Sequence, residues 1–144
     1  MMPPRVRVEL VRTPIDAARL ALEVSTPLAG AIATFVGVVR AEAEPNGRQL
    51  EALDYSAYEQ MACGSMERIC VDACNRFEVE FVRAVHRLGR LPIGEASIAV
   101  VVSAGHRGPA IDACREIMER IKADTPIFKQ EIWEDGGQSW VNSI

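Results

Sequence analysis

The stretch ASIAVVVSAGHRGPAIDACREIMERIKADTPIFKQEIW, residues 96–133, decides the fold. Residues 96–104 are nearly unbroken apolar and β-branched positions, which predicts a central strand. Gly105 to Gly108 break that pattern. From Pro109 onward apolar residues recur at 110, 111, 114, 117, 118 and 121, the stripe of an amphipathic helix. Asp124-Thr125-Pro126 ends the helix, because the residue before a proline is pushed out of the helical region. The segment IFKQEIW (127–133) then reads as a short strand.

Working outward, VRVELV (6–11) alternates and predicts a strand, and Thr13-Pro14 opens a short helix over IDAARLALEV (15–24). GAIATFVGVVR (30–40) reads as a buried strand closing at Arg40, and AEAEPNGRQ (41–49) as a loop with an Asn46-Gly47 turn. LEALDYSAY (50–58) alternates and is expected to pair with the strand before it. Apolar positions 62, 63, 66, 69, 70, 73, 74 and 77 predict a second long helix over Glu59 to Phe77. VEFVRAVHRLG (79–89) reads as a strand, LPIGE (91–95) as a turn and QSWVN (138–142) as a last short strand. This mixed order predicts the α+β class: one two-layer domain over residues 1–144, with a mostly antiparallel sheet and two long amphipathic helices.

The 144 residues are 49% hydrophobic and 25% charged, a soluble globular composition. The net charge of −4 is the wrong sign for general nucleic-acid binding. No run reaches the roughly 18 apolar residues of a membrane span, and the opening MMPPRVRVELVRTP has no hydrophobic signal core. A cytoplasmic protein that binds neither nucleic acid nor membrane is therefore expected. Cys63, Cys70 and Cys74 fall on or near the apolar stripe of the first long helix and Cys114 on that of the second. They read as core thiols in a reducing compartment, and with no histidine or carboxylate at ligand spacing no metal is expected. No phosphate-binding glycine loop or nucleophile elbow is present.

Sixteen residues are basic, yet only Lys122 and Lys129 are lysines. A cation in the last turn of a helix complements the dipole, which accounts for Lys122, and Lys129 fits an outward strand position. Arginine would serve both purposes. Lysine differs in carrying a compact ammonium that can give up a proton, so the pair reads either as a functional couple facing one pocket or as the chance remainder of an arginine-biased composition. His106 and Arg107, before a helix N-terminus, form a candidate anion site, and Arg40 is a third cation that could line a cleft. Together these residues point to a cationic pocket for an anionic substrate.

Four blocks in this order, GAIATFVGVVR, LDYSAYEQMA, VHRLGRLPIGEASIAVVVSAGHRG and IKADTPIFKQEIW, resemble the catalytic large subunit of molybdopterin synthase, over about residues 29–141. The resemblance implies an α/β hammerhead domain and a sulfurtransferase. The family builds the dithiolene of molybdopterin on cyclic pyranopterin monophosphate during molybdenum cofactor biosynthesis. The sulfur arrives as a thiocarboxylate on the C-terminal glycine of a small ubiquitin-like sulfur-carrier subunit. The resemblance also implies a homodimer within a heterotetramer, and no resident cofactor. It makes Lys122 the catalytic lysine at the thiocarboxylate tail and Lys129 the second active-site lysine. Arg40, His106 and Arg107 become residues for the anionic substrate, with Val38, Val39, Gln130 and Glu131 beside them and Phe35 and Met118 as pocket wall. Phe128 stands where many members carry tryptophan, and Gly105 and Gly108 stand where others often have larger residues. Two competing readings are a docking subunit without catalysis and a Schiff-base lysine enzyme acting on a phosphorylated carbonyl compound.

Overall fold

The computed structural model describes residues 5–141, so the final residue of the expected strand at 138–142 lies outside the described residues. Strands β1 (Val6–Val11), β4 (Val79–Arg87), β6 (Ala96–Ala104) and β2 (Ala31–Val38) form one sheet in the order β1-β4-β6-β2. The β1–β4 pair is parallel; β4–β6 and β6–β2 are antiparallel. A second, wholly antiparallel sheet runs β5 (Gly89–Pro92), β3 (Leu50–Ala57), β7 (Ile127–Trp133), β8 (Gln138–Val141). Helices α2 (Glu59–Arg76) and α3 (Arg107–Asp124) are the two long helices expected, and α1 (Ala17–Glu23) is short.

The central position of β6 follows from its composition. Val100 and Val102 join Met66 and Ile69 of α2 and Ile117 and Ile121 of α3 in the main core. Val101, on the opposite face, packs with Phe81, Val24 and Leu20 beneath α1. Such a strand needs apolar residues at every position, not at every second one. The inner face of the second sheet, through Leu50, Leu53, Tyr55, Leu91, Ile127 and Trp133, closes the same core from another side.

Several expectations are corrected. β2 is not buried: it is an edge strand whose Ile32, Phe35, Val36 and Val38 are 44%, 40%, 38% and 57% exposed. A continuous apolar run reports that apolar surface needs cover, not that its own chain provides it. β3 does not pair with β2 but with β5 and β7. The 41–49 segment closes its own turn, Glu44 N–H donating to the Arg48 carbonyl at 2.7 Å with Gly47 at φ +88°, and delivers the chain to the other sheet. Leu91 and Pro92 belong to β5, and the chain changes sheet at Gly89, whose φ of +96° favours glycine. Helix α3 starts at Arg107 with His106 as its cap, two residues before Pro109, which sits harmlessly in the first turn. Helix α1 starts after Asp16, whose side chain accepts the Arg19 N–H at 3.1 Å, and not at Ile15. Ile111, placed on the buried stripe of α3 by spacing, is 57% exposed.

His86 on β4 is 1% exposed, its ring edge-on to Tyr55 at 4.9 Å between centroids. Burial pushes the imidazole down to about 4, with the Arg87 carbonyl opposing that shift. The unfolded chain therefore takes up a proton below pH 6.5 that the folded chain refuses until about pH 4. Stability is present at neutral pH and lost as pH falls through this window, by up to about 3 kcal/mol. Thermal unfolding at pH 7 and pH 5 should show this slope in the wild type, and a flatter one in His86→Phe. Equal slopes in the two proteins would refute the assignment.

Candidate active site

The end of α3 is set by Thr125, which leaves the helix at φ −82°, ψ 131°. Its hydroxyl lies 2.9 Å from that of Ser65 on α2, a buried pair that anchors the chain reversal. Pro126 follows, and β7 begins. Lys122 in the last turn of α3 and Lys129 on β7 are thereby turned onto one cleft of about 450 Å³, a volume suited to a small molecule.

That cleft lies at the seam between the two sheets. Phe35, Gly37 and Val38 come from β2, Ser97 and Ile98 from β6, Met118 and Lys122 from α3, and Leu53, Tyr55, Lys129 and Glu131 from the second sheet. Arg40 and Glu42 close one side, joined at 3.2 Å. A Cβ at Gly37 would meet Ile98 Cγ2 at 2.8 Å, so glycine is what allows β2 to lie this close to the cleft floor. Three cations and two carboxylates face the space. Among the described residues every ion pair uses an arginine, as in Arg76–Glu116 between α2 and α3, and neither lysine has one.

A second, apolar cleft of about 580 Å³ adjoins the first between β2 and α3. Ala33, Thr34, Phe35, Ile111, Cys114, Arg115, Met118, Glu119 and Lys122 line it. Phe35, Met118 and Lys122 belong to both clefts. The spacing 111, 115, 118, 122 puts these residues on one face of α3, so the ammonium of Lys122 stands where the apolar cleft meets the charged one.

Of the residues singled out in the sequence, the structure brings together Phe35, Val38, Arg40, Met118, Lys122, Lys129 and Glu131. It does not bring in Val39, which is 2% exposed in the core with its backbone bonded to Glu95 and Gly94. Gln130 is absent from the lining and donates its amide to Gln138 at 3.0 Å, as strand alternation requires of a residue between Lys129 and Glu131. His106 and Arg107 stand at the far end of α3, sixteen and fifteen residues before Lys122 and so more than about 20 Å away along the axis. Tyr55, Ser97 and Glu42 were missed. Only the register, Tyr55 opposite Lys129 and Leu53 opposite Glu131, reveals the first of them.

Cys70 and Cys114 are core residues, and burial pushes their thiols up to about 12 and about 11. Cys63 and Cys74 are half-buried rather than core, and burial raises both. None has the depressed pKa of a reactive thiol. Cys63→Ser and Cys74→Ser should therefore keep at least about half of wild-type turnover, since their thiols stay protonated near neutral pH. A rate loss comparable to that of a lysine variant would show that a thiol takes part.

Fold and site together define a class: small α+β proteins with a lysine-bearing cleft at the seam of two sheets. The chain belongs to the MoaE protein family, whose model matches residues 10–124. It is 41% identical over 135 residues to the molybdopterin synthase catalytic subunit of Bacillus subtilis, covering 94% of this chain and 84% of that one. The molybdopterin synthase catalytic subunit of Dictyostelium discoideum is 36% identical over 137 residues, covering 94% and 85%. The crystal structure of molybdopterin synthase from Staphylococcus aureus superposes with a TM-score of 0.86 at 32% identity, covering 92% of this chain and 95% of that one. The resemblance read from the four sequence blocks is borne out, as is the α+β fold.

Proposed function

We propose that this chain is the catalytic subunit of a molybdopterin synthase, transferring sulfur from the thiocarboxylated C-terminus of a small ubiquitin-like subunit to cyclic pyranopterin monophosphate. The observation that carries the reading is the place of Lys122 at the junction of an apolar cleft and a cationic one. An extended, uncharged peptide tail suits the apolar cleft, and its thiocarboxylate then meets the ammonium. A phosphorylated, polar substrate suits the cleft holding Arg40, Lys122 and Lys129. Lys122 neutralises the thiocarboxylate as its sulfur bonds to a substrate carbon. It then supplies a proton when water cleaves the resulting thioester, which leaves the sulfur on the substrate and a carboxylate on the donor, while Lys129 and Arg40 hold the substrate anion.

His106 and Arg107 enter this reading through a second copy of the chain. Their own cleft is out of reach, and the apolar edge formed by Leu28, Ile32, Val36 and Val38 is a surface that a homodimer would cover. The working form is then a homodimer carrying one small subunit per protomer, resident in the cytoplasm; no helix among the described residues is long and apolar enough to cross a membrane. The deciding experiment is a single-turnover assay with the pyranopterin precursor and the thiocarboxylated small subunit. Dithiolene formation that requires the thiocarboxylate supports the reading. Partner binding without turnover would leave a docking subunit instead.

A further inference from the structure

Tyr55 is a residue of the cleft that the proposed reaction leaves without a role. It stands on β3 directly across from Lys129 on β7, and facing side chains of an antiparallel pair stand roughly 4.5–5.5 Å apart at Cβ. Both line the cleft. The ring is 6% exposed and lies edge-on to buried His86, whose Nδ1 is 2.8 Å from the Arg87 carbonyl. Ser97, whose hydroxyl opposes part of the rise in the phenol's pKa, lines the same cleft, is itself buried and donates to the Gly37 carbonyl at 3.4 Å. Burial raises the phenol above its ordinary range, so it is neutral at working pH.

Packing requires only the ring, and phenylalanine would supply that. The hydroxyl needs its own explanation. A neutral phenol has acceptor capacity to spare, and the side chain set against it by register is an ammonium with three donors and no ion pair among the described residues. We infer that Tyr55 is a positioning residue: its phenol oxygen, anchored by Ser97, accepts a hydrogen bond from the Lys129 ammonium and holds that cation at the floor of the cleft. An arginine at 129 would carry its charge on a longer, forked head that this arrangement does not fit. The assignment deepens the functional reading above and rests on it only for the rate measurement described next.

The chain's two lysines make a direct test possible. Protein labelled with 13C at lysine Cε shows two side-chain signals, assigned with Lys122→Arg and Lys129→Arg. Tyr55→Phe keeps the ring against His86 and removes the hydroxyl. The Lys129 signal should move while that of Lys122 stays in place, and Ser97→Ala should move the same signal in the same direction. The single-turnover rate should fall roughly tenfold, the size of one hydrogen bond to a charged group, with small-subunit affinity unchanged. An unmoved Lys129 signal in Tyr55→Phe overturns the assignment, and so does equal movement of both signals, which marks a general rearrangement. If the wild type itself gives no turnover, the functional reading fails and the spectrum alone decides the role of Tyr55.

Discussion

Replacing Lys122 with arginine should lower the single-turnover rate by roughly 10²–10⁴-fold, the range of a positioned proton donor. Small-subunit binding should change little. Arginine keeps the positive charge but holds its protons at any working pH, so the substitution separates electrostatics from proton transfer. The side chain lies in the exposed last turn of α3, so the fold should tolerate the change. The helix-dipole contribution of a C-terminal cation is also retained. Lys129→Arg should follow with a smaller loss in rate and a larger one in substrate affinity, because its partner in the reading is the substrate anion. Were both variants to turn over near the wild-type rate, the lysines would be electrostatic fixtures and the proton-transfer role would be wrong.

The second large effect is a rescue. His106→Ala/Arg107→Ala should be nearly inactive, although both residues are exposed and lie far along α3 from the cleft of their own chain. Mixing this variant with Lys122→Arg, by unfolding and refolding together, creates dimers in which one site has all its residues from two different chains. Statistical assortment of such dimers restores about a quarter of wild-type activity. If the three residues had to come from one chain, no mixed dimer would contain a complete site and activity would stay at the level of the separate variants. Val36→Glu on the exposed β2 edge should abolish the recovery by burying an unpaired charge, which would place that edge at the surface brought together.

Much of the architecture was legible because it is written in local periods. The uninterrupted apolar run of β6, the 3.6-residue stripes of α2 and α3 and the Asp124-Thr125-Pro126 stop each depend on residues within a few positions of one another. The lysine scarcity was legible in the same way, as a departure in residue type at two named positions. Strand parity also bears on the site. By the two-residue period alone, Lys129 and Glu131 on one face exclude Gln130 from it.

What periodicity does not encode is the partner. An alternating strand announces which side seeks cover and is silent on which strand lies beside it, so β3 pairing with β7 instead of β2 had to come from the folded chain. The same limit hid Tyr55 and Ser97, which reach the cleft only because two sheets close on one seam. The sequence by itself determined the two lysines, the helix that carries one of them and the proline that turns the chain toward the other. Only the tertiary structure decided that Lys122 stands between an apolar cleft and a charged one, and that His106 and Arg107 do not reach the cleft of their own chain. The reason is physical: local sequence sets backbone conformation and the buried face, while a site is an intersection of faces contributed by segments distant along the chain.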